Sequence, residues 1–274
     1  MKSITFGQYY PSESLLHRLD PRVKILLTVV YIVCTFLCRS AVSFAVLLLS
    51  VLALILVSRI PLGVILRSIR PLMIIIAFTF VVNIFWTVGE SEPLLAIGFV
   101  KIYAEGIWNA LFMFLRILSL VTVTGLFLTY TTMPMDLTDA LESLLSPLKK
   151  LHVPVHVFAM MMSITLRFIP TLSEETEKIM NAQKARGADF LSGSLVKRAR
   201  ALIPILIPLF VSAVNRALEL ANAMECRCYH GGEGRTRLHV LKYRAVDWIC
   251  FAAMVVFGVA LVFLNGIDLL YVMK

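Results

Sequence analysis

The sequence predicts an all-α, polytopic membrane protein with about five spans and an embedded cytoplasmic module of amphipathic helices. Hydrophobic residues make up 59% of the 274 positions and charged residues 16%, whereas ordinary soluble domains contain about 45–50% and about 25%. Long apolar runs alternate with segments that are clearly basic or acidic, which is the pattern of membrane helices and their loops. The net charge of +9 therefore has to be interpreted from where the basic residues fall.

The first two apolar runs, residues 25–37 and 41–57, predict a tight helical hairpin because only three residues separate them. The polar lead-in carries Arg18, Arg22 and Lys24 just before the first run. It lacks the basic, apolar and small-residue succession of a cleavable signal peptide, so we expect the first run to remain as a span. The basic flank favours a cytoplasmic N-terminus.

The third and fourth predicted spans are residues 72–88 and 107–130. Residues 58–70 precede the third span and hold three arginines and no acid, which favours the cytoplasm. Residues 89–106 hold three acids against one lysine, and we expect them to form an external loop. Arg116 interrupts the fourth span, where it could line a functional path or, equally, make a structural pair inside the bundle.

The remaining half of the chain is a mixed-charge block followed by one more span. Residues 131–247 carry 15 of the 26 basic and 11 of the 17 acidic residues, a mixture that disfavours nucleic acid as a partner. A helix is predicted over 137–151, and the proline-interrupted apolar runs 153–169 and 201–214 are expected at the interface or crossing with strain. The predicted domains are an N-terminal membrane region of about four spans, a cytoplasmic module and a C-terminal span: residues 1–130, 131–244 and 245–274.

Two charged, helix-like stretches in this block, residues 171–185 and 209–225, end in similar triplets with a central arginine. A lone arginine there would only complement the negative end of a helix, an effect of about 0.3–1 kcal/mol. Two such endings 41 residues apart favour paired contacts with acidic grooves on a partner, because a guanidinium group binds carboxylates bidentately. The triplets are Ala185, Arg186 and Gly187, and Cys226, Arg227 and Cys228.

Other chemical motifs are weaker. Residues 231–236 are rich in glycine but lack the Gly-Lys-Ser/Thr ending of a phosphate loop. Cys226, Cys228 and His230 are soft ligands without a matching second cluster, so a structural role is favoured over zinc. The methionines at 160–162 could bind copper, but adaptable packing is the better interpretation. No catalytic arrangement, resident metal or cofactor is predicted.

Three segments carry a resemblance to a known family: residues 16–24, 182–189 and 223–229. They are similar to the transmembrane T component of energy-coupling factor transporters, the EcfT/CbiQ family, and the likeness extends over nearly the whole chain. In that family, two cytoplasmic coupling helices end in Ala-Arg-Gly-like triplets. The second triplet of this chain departs from that pattern at both flanks and keeps the arginine.

The resemblance implies a scaffold subunit, with ATP hydrolysed elsewhere, in a multi-pass arrangement in the cell membrane. Its implied partners are two ABC ATPases of the EcfA type at the cytoplasmic face and an interchangeable substrate-binding S component. Arg186 and Arg227, with their flanking residues, would dock into the ATPases, and the transported substrates would be vitamins or other micronutrients. The expected C-terminus is extracellular. The alternatives are a dedicated cobalt or nickel permease of the same type, a self-contained secondary carrier, or a membrane enzyme.

Overall fold

The structure is a computed structural model that describes residues 9–86, 95–97, 100–188, 190, 194–231 and 241–266, excluding the side chains of residues 95–97, 100–102 and 195. The predicted all-α membrane architecture is confirmed over these residues. The chain divides into two compact units, Met1–Ala140 with Leu241–Lys274, and Leu141–Val240. The α-helices are α1 (Pro21–Leu37), α2 (Ala41–Ser58), α3 (Leu62–Ile69), α4 (Met73–Trp86), α5 (Ala104–Thr124), α6 (Pro134–Leu144), α7 (Val155–Ala185), α8 (Leu195–Cys226) and α9 (Ala245–Leu264).

Short irregular elements join or extend these helices. A 3₁₀ turn, Arg70–Leu72, connects α3 to α4, and a π-helical turn, Gly125–Tyr130, continues α5. Two three-residue strands, β1 (Leu95–Ile97) and β2 (Val100–Ile102), form an antiparallel hairpin. This hairpin lies where the sequence predicts only a loop, and α5 already begins at Ala104. Of the predicted loop's turn and acidic residues, the following lie outside the described residues: Gly89, Glu90, Glu92, Pro93 and Gly98.

Six helical segments in the described part of the chain are long and apolar enough to cross a membrane, judged by length and composition. Four of them contain most of the predicted spans 41–57, 72–88, 107–130 and 245–264. The first predicted span corresponds to α1, which has 17 residues and starts earlier than expected, at Pro21. The remaining two segments are Val155–Ala185 and Val196–Cys226.

The continuity of α7 and α8 corrects the division made from the sequence. The sequence predicts that prolines bound the apolar run 153–169 and break the run 201–214, yet Pro170 lies inside α7, and Pro204 and Pro208 lie inside α8. A proline removes only one helical hydrogen bond, and apolar membrane helices tolerate it where neighbouring groups satisfy the freed carbonyl. Each apolar run therefore continues without a break into its arginine-ended stretch.

The helix predicted over residues 137–151 is also corrected at its C-terminal end. The α-helical part, α6, ends at Leu144, and a 3₁₀ turn, Ser146–Leu151, follows it. Pro147 stands at the start of that turn, and the residue before a proline is restricted away from the α-helical conformation. The α-helix consequently ends just before this segment.

The core of the first unit forms where α1 packs against α2, α5 and α9. Tyr31 of α1 is 1% exposed, and its hydroxyl lies 3.1 Å from the Ser50 hydroxyl of α2. The aromatic rings of Phe44 and Phe112 lie 4.7 Å apart between centroids. Apolar side chains surround these contacts, so the helices of this unit bury a continuous apolar core: Leu27, Leu47, Val123, Phe127 and Leu261.

Lys24, a member of the predicted basic flank, lies inside the first turns of α1 and is buried. It is 1% exposed, and its Nζ donates to the carbonyl of Thr131 at 2.7 Å. Nearby, the Asp247 carboxylate of α9 accepts from the backbone N–H of Asp20 at 2.9 Å and from that of Arg244 at 2.7 Å. These bonds tie the beginning of α1 to the end of the π-helical turn and to α9.

The lead-in before α1 is held by a similar set of contacts. The backbone N–H of Tyr10 donates to the Tyr130 carbonyl at 3.0 Å. The His17 Nε2 donates to the Tyr10 carbonyl at 2.9 Å, so its Nδ1 accepts from the Ser14 hydroxyl at 2.7 Å. Burial is the main cause of the lowered pKa of the His17 imidazole. The segment that carries the first part of the family resemblance thus packs onto the first unit.

Arg116 makes a structural contact inside this unit. It is 7% exposed, and its Nη2 donates to the Cys38 carbonyl, the C-cap of α1, at 2.8 Å. The guanidinium group also lies 5.3 Å from the ring centroid of Phe44 and 6.0 Å from that of Phe36. Of the two roles considered for Arg116, these contacts favour the structural one, with a backbone carbonyl rather than a carboxylate as its partner.

Candidate functional site

The end of α7 is a Schellman motif, in which the last carbonyls of a helix are closed by two backbone hydrogen bonds. The Ala188 N–H donates to the Gln183 carbonyl at 3.0 Å, and the Gly187 N–H donates to the Lys184 carbonyl at 2.9 Å. Gly187 has a φ of +85°, a left-handed conformation that glycine adopts without a Cβ clash. Arg186 is the C-cap residue. The predicted cap at Gly187 is confirmed.

The end of α8 has the same hydrogen-bonding pattern with a different residue at the left-handed position. The Tyr229 N–H donates to the Met224 carbonyl at 3.1 Å, and the Cys228 N–H donates to the Glu225 carbonyl at 2.9 Å. Cys228 has a φ of +53°, and Arg227 is the C-cap residue. The two triplets therefore share a backbone fold although only one of them contains glycine.

The two arginines also share their local conformation. Arg186 has φ −84° and ψ 6°, and Arg227 has φ −94° and ψ 15°. Both side chains are exposed, and neither forms an ion pair with any described residue. Each is thus presented at a helix terminus, next to carbonyls that carry partial negative charge. The flanking members of both triplets are exposed as well: Ala185, Gly187, Cys226 and Cys228.

The helices that present these arginines pack against each other within the second unit. The Arg216 Nη2 of α8 donates to the Glu175 carboxylate of α7 at 2.9 Å. Beside this ion pair lies a mainly apolar cavity of about 420 Å³ between the two helices, lined by side chains that include Phe168, Leu172 and Leu220. The ion pair and the apolar contacts fix the two helices relative to each other over part of their length.

A second polar contact of this unit lies at the beginning of α7. The Nδ1 of His156 lies 3.0 Å from the Glu142 carboxylate of α6. Glu142 is 8% exposed, so the imidazole partner satisfies a carboxylate that burial would otherwise destabilise. Sequence reasoning missed this pair because the two residues are 14 positions apart on different helices. It connects α6 to the N-terminal end of α7.

The arrangement is suited to binding acidic surfaces. A guanidinium group held at a capped helix end can form two parallel hydrogen bonds with a carboxylate, and the exposed Ala185 or Cys226 before it leaves room for close approach. Two such ends of equal backbone geometry suit a partner that offers two equivalent grooves.

Within the described residues, the structure adds no support for the weaker motifs of the sequence as ligand-binding sites. Among the described residues, no group of three or more His, Cys, Asp or Glu side chains is arranged to hold a metal ion. The glycine-rich segment 232–236 lies outside the described residues. Met161 and Met162 are exposed on α7, as are Met133 and Met135 near the start of α6. Each of these exposed methionine pairs gives its own unit an adaptable apolar patch.

Comparisons with known proteins identify the family. A family model described as cobalt transport protein, CbiQ, matches residues 12–240. The chain is 50% identical over 265 residues to the energy-coupling factor transporter transmembrane protein EcfT of Acidaminococcus fermentans, covering 97% of this chain and 98% of that protein. It is 50% identical over 249 residues to the EcfT of Clostridium kluyveri, with 91% and 92% covered.

A third relative extends the comparison to the full length of the known protein. The EcfT of Bacillus subtilis is 45% identical over 266 residues, which is 97% of this chain and 100% of that protein. Identity at this level over nearly the whole length implies the same fold and the same arrangement of helices. The chain therefore belongs to the family of energy-coupling factor transporter transmembrane proteins.

Proposed function

We propose that this chain is the scaffold subunit of an energy-coupling factor importer and transmits the effect of ATP hydrolysis from two partner ATPases to a substrate-binding membrane subunit. In this role the ends of α7 and α8 dock into one groove on each ATPase through Arg186 and Arg227. The substrate, a vitamin or another micronutrient, is held by the other membrane subunit. ATP hydrolysis takes place in the partner subunits.

The observation that carries the proposal is the shared geometry of the two helix ends. Arg186 and Arg227 occupy equivalent C-cap positions with similar φ and ψ values, and each is followed by a left-handed residue. Helix capping alone explains the matching backbone conformation, since many helices end in this motif, but it does not require an exposed arginine at the same position of both ends. Two equivalent arginines are what a pair of similar ATPase subunits would require.

The proposal includes a division of the chain and an orientation. Residues 131–244 act as the coupling module, between the membrane regions 1–130 and 245–274, and the module faces the cytoplasm. Basic residues cluster around the start of α1 and between α2 and α4, which by the positive-inside rule supports a cytoplasmic N-terminus. The C-terminus then lies outside.

The candidate functions within this family differ in the substrate that is transported. The matching family model is described by cobalt transport, whereas the names of the relatives specify no substrate. Membership in this family favours a subunit of a transporter complex over a self-contained carrier or a membrane enzyme. We favour uptake through an interchangeable subunit over a dedicated cobalt or nickel permease, because the relatives are named for the shared coupling factor.

Co-purification of the ATPases with the tagged chain, together with substrate uptake into vesicles, tests the docking sites. Arg186→Ala and Arg227→Ala should each weaken association, because removing one partner of a desolvated charge pair costs about 2–5 kcal/mol. The double variant should lose nearly all bound ATPase. Arg186→Lys should also bind poorly, because a lysine cannot form the two parallel hydrogen bonds of the guanidinium fork.

A matched control separates docking from a general loss of charge or of folding. Arg167 is exposed on α7 and has no ion pair among the described residues, so Arg167→Ala should retain the ATPases. All variants should reach the membrane in wild-type amounts. Wild-type binding and uptake by the double alanine variant would show that the arginines only complement the helix ends, and the docking assignment would be wrong.

A further inference from the structure

Helix α3 has one side buried in the protein and one side that carries unpaired positive charge. Ile65 and Ile69 are buried against Leu126 and Tyr130 at the end of α5. At 100° per residue, Arg67 falls on the opposite side of the helix. The helix is therefore amphipathic in a way that suits a position at the boundary between lipid chains and headgroups.

Three arginines gather around this helix without acidic partners. Arg59 caps the end of α2, Arg67 lies on α3, and Arg70 begins the following 3₁₀ turn. All three are exposed, and none forms an ion pair within the described part of the chain. The exposed apolar side chains Leu62 and Leu66 lie beside them on the same helix. An anionic group at the edge of the lipid's apolar layer would therefore complement these positive charges and the exposed apolar side chains beside them.

A crevice of about 610 Å³ lies next to this basic surface. Its walls come from α1, α3 and α5 with the π-helical turn, and their surface is mainly apolar although four lining residues carry hydroxyl groups; the aliphatic side chains are Ile32, Leu120 and Val121. Ser68 of α3 also lines the crevice, and it is the neighbour of Arg67 in the chain. The crevice therefore borders α3 one position from Arg67, whose long side chain can extend toward a polar group near that wall.

The polar side chains of the crevice are hydroxyl groups rather than charges. Thr124, Thr129 and Tyr130 contribute them from the end of α5 and its π-helical turn. A π-helical turn interrupts the regular hydrogen-bond ladder and widens the helix locally, which is a common feature of binding sites. Hydroxyl groups in the lining of a mainly apolar crevice suit the ester and glycerol groups of a lipid, which accept hydrogen bonds without carrying charge.

We propose that α3 and the crevice beside it form a binding site for an anionic phospholipid. One acyl chain occupies the crevice, and the phosphate contacts Arg67 and Arg70, with Arg59 close to the same headgroup layer. The positive-inside rule explains an excess of basic residues but does not predict an apolar crevice beside them. This site is independent of the docking arginines, and it would hold even if the docking proposal were wrong.

The full chain, purified in detergent, can be incubated with equal amounts of phosphatidylglycerol and phosphatidylcholine and analysed by native mass spectrometry. We expect retention of phosphatidylglycerol to exceed that of phosphatidylcholine by about tenfold, because each basic residue near an anionic headgroup strengthens binding several-fold. The double variant Arg67→Gln/Arg70→Gln should abolish this preference. Lys149→Gln/Lys150→Gln removes the same charge from exposed positions in the other unit and should preserve it.

The role of the apolar crevice is tested by changing the length of the lipid's acyl chains, because a substitution in the crevice could unfold the protein. Short-chain phosphatidylglycerol, which keeps the headgroup but cannot fill the crevice, should bind much more weakly than the long-chain lipid. Soluble glycerophosphate should not compete. Equal binding of the short and long lipids, effective competition by glycerophosphate, or an unchanged preference in Arg67→Gln/Arg70→Gln would each overturn the proposed lipid site.

Discussion

The sulfur of Cys34 on α1 lies 2.8 Å from the point that a Cβ atom on Gly258 of α9 would occupy. Membrane helices that approach this closely depend on small residues at their interface, because lipid offers no hydrophobic drive for association. Cys34 is buried, so its sulfur has little free space into which it could move. The pair fixes how closely α1 and α9 can pack.

Replacing Gly258 with alanine should therefore destabilise the protein by about 1–3 kcal/mol through overpacking. Thermal unfolding in detergent would measure the loss. Gly63→Ala on α3 is the matched control, because a Cβ there meets no atom within 4 Å; it should be neutral or slightly stabilising. The double variant Cys34→Ala/Gly258→Ala should recover part of the stability. A Gly258→Ala protein as stable as the wild type would contradict this packing.

Arg116 gives a prediction that separates a structural role from a transport role. Arg116→Met should lower stability by about 1.5–3 kcal/mol, because it removes a charged hydrogen bond to the Cys38 carbonyl. Arg39→Met alters an exposed side chain beside the same carbonyl and should have little effect. Thermal unfolding and uptake should be measured on the same preparations. Loss of uptake by a fully stable Arg116→Met protein would instead place Arg116 on a functional path.

The left-handed positions after the two arginines respond in opposite ways to substitution. Cys228→Gly should stabilise the end of α8 by about 1 kcal/mol, because a Cβ in the left-handed conformation costs about 1–2 kcal/mol. Gly187→Ala should introduce that cost at the end of α7. Hydrogen exchange of the terminal amides would report both changes locally. Both variants should keep the ATPases bound, since both keep the arginine; faster exchange in Cys228→Gly would contradict the assigned geometry.

Thiol labelling from one side of the membrane checks the orientation. Cys226 and Cys228 are exposed free thiols at the end of α8. With the coupling module in the cytoplasm, a membrane-impermeant maleimide should label them in inside-out vesicles of cells producing this chain alone and should leave them unlabelled in intact cells. A cysteine introduced at Glu92 should show the reverse. The opposite pattern at both sites would invert the proposed topology.

The sequence predicted the helical membrane class, most of the spans and the cap at Gly187, because these depend on local composition and on one conformational property of glycine. It did not predict that Cys228 would adopt the same left-handed geometry, since cysteine has no such preference. The burial of Lys24 was also missed. Its partner, Thr131, is 107 residues away, and no local pattern reports a contact of that range. The prolines misled in the opposite direction, because the two long helices continue through them.

Because α7 and α8 are long and continuous, a small change in the angle of either helix displaces its far end by a large distance. With 31 and 32 residues, each is about 47 Å long at 1.5 Å per residue. A tilt of about 10° around one end would displace the other end by about 8 Å, more than the length of two hydrogen bonds. If the proposed docking holds, a small rotation imposed on Arg186 or Arg227 would therefore become a larger displacement at the far end of the helix.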